Sequence, residues 1–103
     1  MAERDDLKVW VVEALRQLGG AGSIVHVYQR VWQIHESELR ASGDLFFTWQ
    51  YDIRWAAQYL RNAGVLVAVD HSKAREWTLS NFGRTMELHE ALATSYRVEA
   101  ERG

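Results

Sequence analysis

Thr48-Trp49-Gln50-Tyr51-Asp52-Ile53-Arg54-Trp55-Ala56-Ala57-Gln58-Tyr59-Leu60-Arg61-Asn62-Ala63-Gly64 runs directly into Val65-Leu66-Val67-Ala68-Val69, then a polar turn, Asp70-His71-Ser72-Lys73-Ala74-Arg75, then Glu76-Trp77-Thr78-Leu79. In the first segment Trp49, Ile53, Ala56 and Leu60 recur at helical spacing, with Ala57 beside them, and mark a buried stripe. Thr48 suits the N-cap of this helix, and Gly64 ends it. The opposite face carries Gln50, Tyr51, Arg54, Gln58 and Arg61. The next two apolar runs read as short strands joined by a turn that holds His71, Lys73 and Arg75.

A helix feeding a hairpin with a basic tip is the arrangement that a winged helix-turn-helix offers to DNA. A helix fits the major groove, and residues near its N-terminus meet base edges. There Gln50 can pair bidentately with adenine and Arg54 with guanine, while Tyr51 can stack or meet a thymine methyl. Gln58 lies on the same face. Arg61, near the C-terminal end, suits a phosphate or offsets the helix dipole. His71, Lys73 and Arg75 can approach the sugar-phosphate backbone or the minor groove. The same residues also suit a solvated helix face and an ordinary exposed loop. What favours DNA is the hairpin following this particular helix.

Working outward, Leu7, Val11, Ala14, Leu15 and Leu18 predict a first helix from about Asp6 to Leu18, flanked by Trp10 and stopped by Gly19-Gly20. Ser23-Ile24-Val25 suits a very short strand able to join the hairpin. A second helix is expected over about 25–34 with Val27, Tyr28, Val31 and Trp32 inward, and a further turn over Glu36 to Arg40. Ser42-Gly43-Asp44 reads as a loop, and Leu45-Phe46-Phe47 as a return to the core. Asn81 suits the cap of a fourth helix over about 83–99, with Met86, Leu88, Leu92 and Tyr96 apolar. That helix can pack back on the domain or pair with a second copy. The expected fold is mainly α with a small β-hairpin wing (α+β), a winged domain over 1–83 and an extra C-terminal helix over 84–103.

At 103 residues the chain fits one domain, and 48% hydrophobic content suits a folded core. It has no cysteine, which excludes disulfides and thiol nucleophiles and makes a reducing, cytoplasmic compartment the expectation. No apolar run approaches the roughly 18 residues of a membrane span. The net charge is −2, so a strongly basic DNA-binding surface is not indicated by the sum. Its distribution is more favourable: residues 49–75 carry +2, from Arg54, Arg61, Lys73 and Arg75 against Asp52 and Asp70, and the acidity lies mainly in the terminal segments.

The remaining residues give no catalytic or metal-binding constellation. Neither His35-Glu36 nor His89-Glu90 continues to the second histidine of a zinc-protease motif. Gly19-Gly20-Ala21-Gly22-Ser23 has no phosphate-binding lysine, and there is no Gly-x-Ser-x-Gly nucleophile elbow. No enzyme, cofactor or metal is therefore expected. Of the five tryptophans, Trp10, Trp32 and Trp77 fall at or beside apolar positions. Trp49 and Trp55 also read as structural, though a flipped or modified base can use such a ring, or Tyr51, for stacking.

With these residues laid out, the chain resembles the N-terminal winged-helix domain of Mrr-type restriction endonucleases over roughly Val11 to Gly83. The similarity rests on Ala14-Leu15 with Leu18-Gly19-Gly20, on Ser23-Ile24 with Val27-Tyr28 and Val31, and above all on Ile53-Arg54-Trp55-Ala56 with Tyr59-Leu60 and Ala63-Gly64-Val65-Leu66. Trp77-Thr78-Leu79-Ser80 with Gly83 follows. The resemblance implies a DNA-binding module, which in that family usually precedes a nuclease that cuts modified DNA. Related winged helices are associated with methylated adenine. The chain has no Glu-x-Lys element of the nuclease kind and no room for that fold, so binding is carried over and cleavage is not.

The expected function is binding of double-stranded DNA, as a regulator of transcription or as the recognition part of a restriction system. Two alternatives stand beside it. One is a winged helix that binds a protein partner, which the net acidity favours. The other is a reader of a modified base such as methylated adenine, in which an aromatic pocket outweighs phosphate contacts.

Overall fold

The computed structural model describes residues 2–68 and 76–90. They form α1 (Asp6–Gln17), β1 (Ala21–Ser23), α2 (Ile24–Arg40), α3 (Leu45–Asn62), β2 (Glu76–Thr78) and α4 (Asn81–Thr85). The architecture is mainly helical, with one small two-stranded antiparallel sheet. No helix among these residues is long and apolar enough to cross a membrane.

The apolar stripe of α1 is wider than the periodicity predicts, because Trp10 and Val12 are buried with Leu7, Val11, Ala14 and Leu15. Its main packing partner is α3, with α2 second. Lys8 is also buried, 2% exposed, although its charge predicts a surface position. Its ammonium pairs with Asp5 at 3.0 Å and lies over the rings of Trp55 and Tyr59 at 4.9 and 4.6 Å. These contacts offset the cost of taking the charge out of water.

β1 begins two residues before the expected strand. Ser23 is extended, and its Oγ accepts the amide of His26 at 3.2 Å, so the strand ends where α2 is capped. β1 pairs with β2 in the register Ala21–Thr78, Gly22–Trp77 and Ser23–Glu76. On the other edge of β2, Leu66 bridges Leu79, and the Val67 amide donates to the Thr78 carbonyl at 2.8 Å. The strand expected over 65–69 is reduced, in its described residues 65–68, to this one bridge, and the regular sheet pairs β1 with β2 instead. The turn over 70–75 lies outside the described residues.

α2 is interrupted at His35, whose φ and ψ of −121° and 21° are not helical, so the two helical pieces expected between residues 25 and 40 lie on either side of it. Its imidazole lies between Glu13 and Glu38, at 2.5 and 2.6 Å from their carboxylates, and stacks on Trp10 at 4.0 Å. The kink sits where this side chain is fastened to α1.

α3 starts a turn earlier than Thr48. Leu45 is already helical and buried, and the Thr48 hydroxyl donates to the Asp52 carboxylate at 2.8 Å rather than capping. The helix ends as expected. Gly64 takes φ +80°, and the Val65 amide turns back to the Leu60 carbonyl at 2.8 Å.

The described part of the expected fourth helix, residues 83–90, is not one continuous helix. Ser80, not Asn81, caps α4, its Oγ accepting the Gly83 amide at 3.0 Å. Met86 then turns extended and enters the core, so the helix stops at Thr85. Arg16 of α1 donates to the carbonyls of Gly83, at 3.0 Å, and Met86. Leu92 and Tyr96, on which the pairing of a terminal helix rests, lie outside the described residues.

Candidate nucleic-acid interface

The buried stripe of α3 is Leu45, Trp49, Ile53, Ala56, Ala57 and Leu60. Burying it against α1 and α2 forces the opposite face outward, and there Gln50, Tyr51, Arg54 and Gln58 are exposed together. Arg61 shares the helix but is half-buried. That burial lowers the pKa of its guanidinium from its ordinary value, which leaves it a protonated cation at neutral pH. Four of the five sequence-predicted positions on this helix therefore form one open surface, with Arg61 at its margin. His71, Lys73 and Arg75 lie outside the described residues.

The polar side chains of this face are not equally free. The Tyr28 hydroxyl donates to the Gln50 carbonyl at 3.0 Å and accepts from Nε of Arg54 at 3.0 Å. Arg54 is thus held at Nε by α2, and its terminal nitrogens make no hydrogen bond to the described residues. Gln58 is more engaged: its Oε1 accepts from Arg61 at 3.4 Å and its amide donates to Asn62 at 3.2 Å. Asp52, the acid nearest in sequence, is occupied by Thr48. Among the described residues no carboxylate pairs with Arg54.

Phe47 corrects the sequence reading most sharply. It was expected in the core beside Leu45 and Phe46, yet it is 82% exposed. The earlier start of α3 explains this, since Phe47, Tyr51, Arg54 and Gln58 then follow one another along a single helical stripe. Tyr51 is 80% exposed. Phe46 is half-buried and meets Phe47 edge-on at 5.0 Å.

Beside this stripe an open cleft of about 540 Å³ lies between α2 and the start of α3. Tyr28, Trp32, Trp49, Phe46 and Phe47 supply its aromatic walls, and Gln29 and Gln50 its amides. Trp32 and Trp49 are stacked at 6.1 Å, and Arg40 lies over Trp32 at 5.2 Å. Trp55 takes no part. It is half-buried toward α1, under the Arg4 guanidinium at 3.9 Å and the Lys8 ammonium.

Tyr28 and Phe47 are the two residues that sequence reasoning missed at this face. An apolar pattern locates the Tyr28 ring but carries no signal for its hydroxyl. With α3 beginning at Leu45, the four-residue spacing of Phe47 to Tyr51 puts both on one stripe. Among the described residues no group of three or more acids and histidines is placed to hold a metal ion. No protein family, no curated protein and no solved structure matches the chain.

Proposed function

We propose that this chain is a winged helix-turn-helix that binds double-stranded DNA, with α3 in the major groove and the turn over 70–75 against the backbone. The observation that carries the reading is the open face of α3, where Arg54 stands unpaired by any described acid and is braced by Tyr28. A guanidinium held at one nitrogen and free at the others suits the two acceptors of a guanine. Gln50 beside it suits adenine. The order helix, strand, helix, helix, strand, with β1 paired to β2 and a bridge from Leu66, just after α3, to Leu79, supports the same reading.

The test is a salt titration of binding to matched duplexes, plain and adenine-methylated, by fluorescence anisotropy. Binding that weakens steeply with salt is expected, because neutralised phosphates release counterions. Preference for the methylated duplex would assign the aromatic cleft to a modified base. Absence of binding to either at low salt would turn the reading toward a protein partner, which the exposure of Phe47 and Tyr51 favours.

A further inference from the structure

We infer that Phe47 and Tyr51 together form an apolar contact for the C5-methyl groups of thymines, and that Phe47 is a specificity-determining residue of the α3 face. The inference rests on the duplex-binding reading above and names what part of that surface recognises.

The two rings are the most exposed of the large apolar side chains among the described residues. Four residues apart on one helix, they are neighbours on its surface. They do not stand alone, because Arg54 follows Tyr51 on the same stripe and Gln50 lies beside it. From Phe47 to Arg54 the helix advances roughly 10 Å, about three base-pair steps at 3.4 Å each. A duplex major groove offers hydrogen-bonding edges at every base pair, and the thymine methyl is the apolar group it displays. Two aromatic rings that enter the groove with Arg54 and Gln50 need such methyls to cover them. Without them the rings would displace water from base edges and return no contact.

A second copy of the chain is the competing occupant. A two-fold contact through this stripe would set the two rings against those of the other copy, but it offers no base-edge acceptors to Arg54 and Gln50 on the same face. Duplex DNA brings those acceptors along with the methyl groups.

The experiment starts from duplexes selected by the full chain from a random-sequence pool. Affinity is measured for a selected duplex and for the same duplex with uracil in place of thymine, which deletes the methyl groups alone. The wild-type protein is expected to bind the uracil duplex about fourfold more weakly for each methyl it buries. Phe47→Ala should lose most of that ratio, and its thermal melt should stay near wild type because the ring is exposed. Arg54→Ala should weaken both duplexes while keeping the ratio. Equal wild-type affinity for the two duplexes would overturn the methyl contact and leave duplex binding standing. Preference for single strands would overturn it in favour of stacking on unpaired bases. Failure to bind any duplex at low salt would remove the reading beneath it, and a dimer in sedimentation that Phe47→Ser dissociates would then assign the pair to self-association.

Discussion

Tyr28 shows how much a single oxygen can organise. Its ring meets Trp49 edge-on at 5.8 Å, and its hydroxyl links the Gln50 carbonyl to Arg54. Tyr28→Phe keeps the ring and deletes both bonds. Because these bonds are exposed, stability should fall by no more than about 1 kcal/mol, while discrimination between a selected duplex and a scrambled one should decline. Undiminished discrimination in that variant would show that Arg54 needs no brace. Gly83 is set by the opposite constraint. A Cβ there would stand 2.3 Å from the Val65 carbonyl oxygen, so Gly83→Ala should cost about 1–3 kcal/mol by overpacking. An unchanged denaturation midpoint would mean that α4 can slide away from Val65. At this scale the sequence was legible for buried apolar positions and poor for tips. Periodicity placed Ile53 and Leu60 correctly, but it could not say that the Lys8 ammonium would find two aromatic rings, nor where the Tyr28 hydroxyl would reach.

Helix starts were the least legible part of the elements, and the reason is chemical. Ser, Thr, Asp and Asn all suit a cap, and the sequence offers more than one within a turn of the starts of α1, α3 and α4. The residue that caps is the one whose backbone is extended and whose oxygen faces a free amide. Ser23 and Ser80 meet both conditions, whereas Thr48 is already inside α3 and spends its hydroxyl on Asp52. Ser80→Ala should therefore destabilise by about 1 kcal/mol. Thr48→Ala should cost less, since it removes one exposed side-chain bond. Chemical denaturation of the two variants checks the order, and a larger loss for Thr48→Ala would contradict the earlier helix start. Helix ends were easier. Gly64 offers the left-handed conformation needed after α3, and the chain turns there as read. The same start decided the candidate site: beginning α3 at Leu45 moves Phe47 from the expected core to the open stripe.

Across the whole molecule, the formal charge of −2 does not tell which cations the fold leaves open. Several cationic side chains have partners within the chain: Arg16 the carbonyls of Gly83 and Met86, Lys8 the carboxylate of Asp5, Arg40 that of Glu36. Arg54 is the cation of the described α3 face that remains open, so Lys73 and Arg75 carry much of any phosphate contact in the proposed complex. Lys73→Ala should weaken binding to all duplexes and flatten the salt slope by about one. An unchanged slope would take the turn over 70–75 out of the interface. Composition and pattern conveyed the balance of helix and strand, because both depend on local spacing. They could not convey which cations the fold would consume, because that depends on residues brought together from distant parts of the chain.

The pairing of β1 with β2 has a consequence for the order in which the molecule assembles. Ser23 meets Glu76 across about fifty residues that contain both α2 and α3, so the sheet cannot close until those helices have come together. Only three residues on each side then hold it. The sheet records the helical packing rather than directing it, and it should be late to form and early to open. Amide hydrogens of Ala21 to Ser23 are expected to exchange faster than those around Ile53 in the middle of α3. If so, β1 can part from β2 while α3 stays fixed.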